Sequence, residues 1–424
     1  MGLGRVGPGV AAAMGVTLAL SGFAATPATA APVAARHPAG HHVFSKAAAS
    51  FVGAKTVEQK VERLQAAAAG LPRLSKAYDV QPLWDGKIDG AGATVATLVS
   101  FGDADIKAVI DAYDQRNGLP PADVQIVEGA GKVPKCTDPG VDSATCESWG
   151  GETDLDVEMI HTMAPGAKII VAATPVAETE GITGLPEMMQ AVDYLTTNKL
   201  VDVISMSFGA TEETFDSFDQ IKTLDPALDR ASAAGITLVA SSGDQGASGT
   251  TEDGTGTYGF RVAGWPASDS RVTALGGTVL HLNAQGTRTS PDSLWQDSGG
   301  GLSKVYGRPD WQNGVSGITG STMRSFPDIT MEGIQGTSES SPLFAGVLAL
   351  AVQSKHGRLG QINGALYGKL GPAAATSGIV DVTVGNNNYG SVVGYTATAG
   401  FDIVSGWGTI DAAKFVPALV TAVG

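Results

Sequence analysis

Five short apolar runs punctuate the middle of the chain: Ala93–Ser100, Ala167–Ala173, Val201–Phe208, Ile236–Ser241 and Val272–Ala274. Stretches of helical pattern lie between them at Ile106–Arg116, Asp154–Met163, Glu187–Asn198 and Ala227–Ala234. Strands that are apolar on both faces need cover on both faces. Their alternation with helices therefore specifies an α/β protein with a mostly parallel central sheet and helices on either side. The length, 424 residues, allows one large α/β domain or two ordinary ones. With 43% hydrophobic and only 16% charged residues the chain is able to bury a core, which excludes intrinsic disorder. No internal repeat is found.

Charge is unevenly placed. Residues 1–73 hold seven basic and two acidic residues, whereas the remainder holds 20 basic against 40 acidic. A body so acidic repels nucleic acid and anionic membrane surfaces. Within the head, Arg5, the apolar run Val16–Leu20 and Ala28-Thr29-Ala30 form the charged region, apolar region and A-x-A cleavage site of a secretory signal peptide. This predicts a mature start near Ala31. Residues 47–69 read as an Ala-rich basic helix ended by Gly70-Leu71-Pro72, so 31–72 is assigned as a short propeptide-like segment and 73–424 as the main domain. The basic helix around Lys55–Arg63 is expected to dock on the acidic domain and to be removed near Arg73. Export to an oxidising compartment makes a disulfide the expected state of the only two cysteines, Cys136 and Cys146.

In an open parallel sheet, function gathers where strands end and helices begin. Three such places carry reactive side chains. Gly336-Thr337-Ser338-Glu339-Ser340-Ser341-Pro342 precedes the apolar helix Leu343–Val352. A serine there faces free N–H groups and the positive end of the helix dipole, which favour an oxyanion; the plainer reading is a capping serine. A serine nucleophile needs a base, and none of the six histidines (His37, His41, His42, His161, His281, His356) stands in a suitable motif. The second place, Trp149-Gly150-Gly151-Glu152-Thr153-Asp154-Leu155-Asp156-Val157-Glu158, offers carboxylates instead. Glu152 and Asp156 share a helix face and would titrate as a coupled pair, but so would Asp154 and Glu158, and spacing does not choose between them. The third place is the apolar strand Ile236–Ser241 running into Ser242-Gly243-Asp244-Gln245-Gly246. Asp244 is either a turn-forming residue or, when protonated, a donor to a developing oxyanion in acid.

The set as a whole resembles the sedolisins, serine-carboxyl peptidases that look like subtilisins with a glutamate in place of the histidine base. E-x-x-x-D matches Glu152 and Asp156, G-D-x-G matches Gly243–Gly246, and G-T-S-x-x-x-P matches Gly336–Pro342. Val203–Gly209, Trp265–Ser268 and Gly299–Ser303 with Pro309–Gln312 match in the same order, so the resemblance covers about Lys76 to Trp407. It implies a subtilisin-like fold and a secreted acid endopeptidase. Ser338 would be the nucleophile, Glu152 the general base and acid, Asp156 the group orienting Glu152, and Asp244 the oxyanion donor. It also implies that Asp154 and Glu158 are exposed.

The segment Ile379–Asn386, followed by Thr398–Asp402 and Gly406-Trp407-Gly408, offers two aspartates and carbonyls at glycine-rich bends, hard oxygen ligands of the kind Ca²⁺ takes, or simply turn-forming residues. The resemblance favours one structural Ca²⁺, held by the side chains of Asp381 and Asp402 and the carbonyls of Val382, Thr398 and Gly400. Thr398 departs from the expected glycine, which is harmless if only its carbonyl binds. The expected partners are protein or peptide substrates of a monomeric enzyme, with no nucleic acid and no membrane after signal removal. A tripeptidyl exopeptidase of the same family, and a calcium-bound binding protein without turnover, are the rival readings.

Overall fold

Seven parallel strands form the spine of the protein: β1 (Thr94–Ser100), β2 (Asp123–Val127), β3 (Lys168–Thr174), β4 (Val203–Met206), β5 (Thr237–Ser241), β6 (Thr273–Val279) and β7 (Ile329–Glu332). Their order across the sheet is β7-β6-β5-β4-β1-β3-β2, with the short strand Ser293–Leu294 added antiparallel to β6. The computed structural model describes residues 71–424 and, ahead of them, 1–2, 52–53, 56–60 and 62. The signal-peptide assignment, His37, His41 and His42 lie outside the described residues.

The register runs evenly, with Val95 opposite both Ile169 and Val203, Val203 opposite Thr237, Val239 opposite Thr273, and Leu275 opposite Ile329. The five strands read from the sequence are β1, β3, β4, β5 and β6, with β6 longer than expected. The two that were missed have plain reasons. β2 is the edge strand and is mostly exposed, so its sequence DVQIV carries little apolar signal. β7, with the sequence ITME, is four residues long and half polar, and is buried only because α-helices cover it.

Six longer helices complete the layers: α1 (Ile106–Asn117), α2 (Ser143–Met163), α3 (Leu185–Thr197), α4 (Asp225–Ala233), α5 (Thr337–Lys355) and α6 (Ala412–Val423). Helices α2 and α5 pack against each other and against the sheet, while α3 and α4 form a second pair. The α2–α5 approach is close because Gly346 carries no side chain: a Cβ there would lie 2.7 Å from the Met163 Cβ and 2.8 Å from the Ile160 carbonyl. Helix α2 begins well before the Asp154 expected from the pattern. Asp142 caps it by accepting from the Thr145 N–H at 2.8 Å, and the disulfide Cys136–Cys146 ties its first turn to the preceding loop. Closing a loop of that size contributes about 2–3 kcal/mol in the chain-entropy account.

Ahead of the domain, Lys60 Nζ pairs with Asp103 at 2.6 Å and with Asp105 at 3.2 Å, and the Gly53 N–H donates to Glu147 at 2.8 Å. Leu71–Ala77 is a helical segment with Pro72 at its second position, where a missing N–H costs nothing. From it Arg73 reaches the buried Glu332 with two hydrogen bonds, at 2.6 and 3.0 Å. No helix among the described residues is long and apolar enough to cross a membrane.

Candidate active site

Three of the candidate regions meet at the carboxyl ends of the strands. Helix α5 starts directly after β7, through a bend at Gly336 whose φ of +115° suits only glycine. Its first turn is fastened on three sides. Thr337 N–H and Oγ1 both donate to Asp244 Oδ1, at 2.8 and 2.9 Å. Ser340 Oγ donates to the carbonyls of Glu332 and Met331, and Ser341 Oγ meets Ser205 Oγ of β4 at 2.9 Å. Ser338, between them, is fully buried, and its Oγ has no hydrogen-bond partner among the described residues. Burying a hydroxyl without a partner costs about 1–3 kcal/mol. Here the cost falls on one hydroxyl out of four neighbours.

Asp244 sits just past β5. Gly243, at φ +109°, makes the turn, its N–H donates to Thr337 Oγ1 at 3.0 Å, and its carbonyl accepts from the Gly299 N–H at 2.7 Å. A Cβ on Gly299 would fall 2.0 Å from the Ser242 carbonyl, so the triple glycine 299–301 lets this loop close over the turn. Burial pushes the Asp244 carboxyl up to about 8, reinforced by the charges of Glu152 and Asp297 and opposed by the Thr337 hydrogen bonds. It therefore carries its proton in acid.

Glu152 and Asp156 lie in the middle of α2, one turn apart and both buried. Asp156 is clamped between two strands: Ser207 Oγ, just past β4, donates to Oδ1 at 2.7 Å, and Thr97 Oγ1 of β1 donates to Oδ2. Burial raises its carboxyl to about 7 against those two hydrogen bonds. Ser207 Oγ also reaches the Ser338 carbonyl at 3.4 Å, so one hydroxyl ties Asp156 to the start of α5. The structure thus gathers Ser338, Asp244, Asp156 and Glu152 in one buried cluster. The sequence reading missed its fasteners Thr97, Ser207 and Thr337. Thr97, a hydroxyl at the centre of the mostly apolar strand TVATLVS, was the available signal.

The expectation that Asp154 and Glu158 are exposed is wrong. Both are fully buried, because α2 is covered on all sides, by α5 and β1 on one and by α1 and the loop after β1 on the other. Asp154 faces Asp103 and Lys60, Glu158 faces Asp114 and Arg116, and burial raises both carboxyls well above the usual range. The acidic run is accordingly no solvated helix start. The described histidines are engaged elsewhere: His161 is buried against the Pro120 carbonyl and Asp114, His281 meets Ser293, and His356 caps the C-terminal end of α5, opposite to the end that carries Ser338.

Near the C-terminus, Ile379–Val380 pairs antiparallel with Thr409–Ile410 and the loops between fold together. Asp402 accepts from the N–H groups of Thr398, Val404 and Ser405, and Asp381 Oδ2 accepts from the Gly400 N–H at 2.7 Å. The other oxygen, Asp381 Oδ1, is buried without a hydrogen-bond partner. An orphaned buried carboxylate oxygen in a glycine-rich pair of loops fits a hard cation. Among the described residues no group of three or more His, Cys, Asp or Glu forms a metal cluster, so any ion there leans on carbonyl oxygens.

Comparison with known proteins agrees with the fold. The Subtilase family model matches residues 147–365. Sedolisin of Pseudomonas sp. (strain 101) is 28% identical over 76% of this chain and 57% of its own length, and kumamolisin of Bacillus sp. (strain MN-32) is 27% identical over 78% and 61%. Tripeptidyl-peptidase 1 of Dictyostelium discoideum is 29% identical over 73% of this chain and 51% of its own. The chain thus spans less than two thirds of the length of these curated relatives. A solved structure of Pseudomonas sedolisin in complex with pseudo-iodotyrostatin superposes with a TM-score of 0.71 at 25% identity, covering 84% of this chain and 98% of that one. The chain belongs to the subtilase family and, within it, is similar to sedolisin and kumamolisin.

Proposed function

We propose that the chain is a secreted, acid-active serine-carboxyl endopeptidase. The carrying observation is the buried, uncommitted hydroxyl of Ser338, whose neighbour Thr337 binds Asp244 and whose carbonyl shares Ser207 with Asp156, while Thr337, Ser340 and Ser341 use their own hydroxyls to hold the fold. In this reading Ser338 Oγ attacks the scissile carbonyl and Glu152 takes its proton. The tetrahedral oxyanion accepts a hydrogen bond from the protonated carboxyl of Asp244. The C–N bond then breaks, Glu152 returns the proton to the leaving amine, and the acyl group stays on Ser338. Water, deprotonated by Glu152, attacks the acyl carbon; the bond from that carbon to Ser338 Oγ then breaks and Glu152 returns the proton to Oγ. Asp156, clamped by Thr97 and Ser207, orients Glu152 and touches no reacting atom.

Product mapping tests the reading. Incubated with an acid-denatured protein near pH 4, the purified chain should release internal fragments of mixed length. Tripeptides taken only from free N-termini would instead make it an exopeptidase like its tripeptidyl-peptidase relatives, and intact substrate would leave the binding-protein reading. Active protein should begin near Arg73 once residues 31–72 have been removed; a stable terminus at Ala31 would end the propeptide assignment.

We further propose that Asp381, Asp402 and the carbonyls of Val382, Thr398 and Gly400 hold one structural Ca²⁺. When bound, the ion would tie the 381–382 and 398–402 loops together by charge and coordination. The unpartnered Asp381 Oδ1 supports this. Chelation should lower the melting temperature by several degrees and added Ca²⁺ should restore it. Asp381→Asn should blunt that response, and a melting curve indifferent to both chelator and Ca²⁺ would remove the ion from the account.

A further inference from the structure

A recess opens beside the candidate oxyanion donor. It is lined by the end of β5, Ser241 to Gly243, and by Phe208 and Gly209 just past β4, with Val262 and Trp265 adding apolar surface. Gly243, in the lining, donates its N–H to Thr337 Oγ1 at 3.0 Å, next to Ser338, so the recess adjoins the place where the carbonyl carbon of a bound peptide would lie. Among the described residues lining it, one is ionisable: Glu180, from the loop after β3. Its carboxyl is held in place on both oxygens: Oε2 accepts from the Thr211 N–H at 2.7 Å and from Thr214 Oγ1 at 3.1 Å, and Oε1 accepts from Thr211 Oγ1 at 3.4 Å. The Thr250 side chain adds a further hydrogen bond, and the buried Glu178 is the acid beside it. Thr214 Oγ1 in turn accepts from the Gly181 N–H at 2.8 Å, which fixes the loop that presents the acid.

We propose that Glu180 determines the residue on the acyl side of the cut bond and selects a basic side chain, lysine or arginine. The inference rests on the peptidase reading above and extends it to substrate class. Phe208, Val262 and Trp265 suit an aliphatic stem, and the carboxyl suits a cationic head at its end. Burial raises the Glu180 carboxyl to about 8 in the free protein, against its threonine hydrogen bonds. A cation entering the recess therefore displaces a proton to solvent, and basic side chains gain over neutral ones as pH rises toward that value.

The test compares two otherwise identical peptides, one with lysine and one with leucine at that position, cleaved by the full chain at pH 4.5 and pH 6.5. The ratio of kcat/KM, lysine over leucine, should rise with pH by up to about tenfold per unit, because each unit is a tenfold change in the ionised fraction. Glu152, Asp156 and Asp244 act on both peptides alike and cancel. In Glu180→Gln the ratio should fall at least about tenfold and become flat with pH; in Glu180→Asp, which keeps the acid, the slope should return. The aspartate variant carries the test if the glutamine variant does not fold. Affinities of the same peptides for Ser338→Ala should give the same ratio and slope, so the recess is tested even if the chain cleaves nothing. A ratio unchanged by Glu180→Gln, or a preference for leucine that the variant leaves intact, overturns the proposal; cleavage with such a ratio leaves the peptidase reading standing.

Discussion

Ser338→Ala should lower kcat/KM on an acid-denatured protein by at least about 10⁴-fold while leaving the melting temperature near that of the wild type. Stability should be spared because Ser338 Oγ makes no hydrogen bond that the fold would lose. Glu152→Gln should cost a similar factor, and the double variant little more than either single one, because nucleophile and base act as a unit. Asp244 separates charge from hydrogen bonding. Asp244→Ala should cost about 10²–10³-fold, the worth of one oxyanion donor. Asp244→Asn keeps an acceptor for Thr337 and an N–H donor that does not titrate. It should therefore retain much of the activity and lose the alkaline fall near pH 8 that the raised carboxyl gives the wild type. Equal losses in the alanine and asparagine variants, with unchanged pH profiles, would mean that Asp244 only shapes the turn.

The melting temperature should fall as the pH rises from about 4.5 to 8, the reverse of ordinary acid denaturation. Burial is the first cause of upward shifts in Asp156, to about 7, in Asp244, to about 8, in Glu180, to about 8, and in Asp269, to about 6. Asp154, Glu158, Glu178 and Glu339 are raised well above the usual range for the same reason. The unfolded chain releases these protons near pH 4, whereas the folded chain keeps them. Between the unfolded and folded values the native state binds more protons, so ΔG of unfolding decreases with pH. A shift like that of Asp156 is worth about 4 kcal/mol at one pH unit per 1.4 kcal/mol, and several such groups should move the midpoint by about 10 °C or more. Calorimetry from pH 4.5 to 8 reads this directly. Glu158→Gln should raise the midpoint at pH 8 and leave it nearly unchanged at pH 4.5, since it removes a titration outside the candidate site. A midpoint that climbs with pH would contradict the protonated interior.

Much of this was readable from order along the chain. Apolar runs alternating with helical patterns fixed a parallel sheet because only helices on both faces can cover such strands, and β1, β3, β4, β5 and β6 stand where those runs stand. Short motifs singled out Ser338 and Asp244 at strand and helix ends, and Glu152 and Asp156 one helical turn apart, since a bend at Gly336 or Gly243 and a carboxyl repeat of four residues are local properties. Identity of neighbours was not local. Whether Asp154 faced water depended on α1 and the loop after β1, both distant along the chain, and the helical period is the same for a buried acid and an exposed one. Thr97, Ser207 and Thr337 became fasteners only when β1, β4 and α5 came together around α2. Glu180 became the acid of a recess only because the loop after β3 folds against segments near residues 208, 242 and 265. Periodicity encodes which side of an element is apolar; proton affinity and recess chemistry come from dielectric and charge summed over everything within a few ångströms, which folding alone assembles.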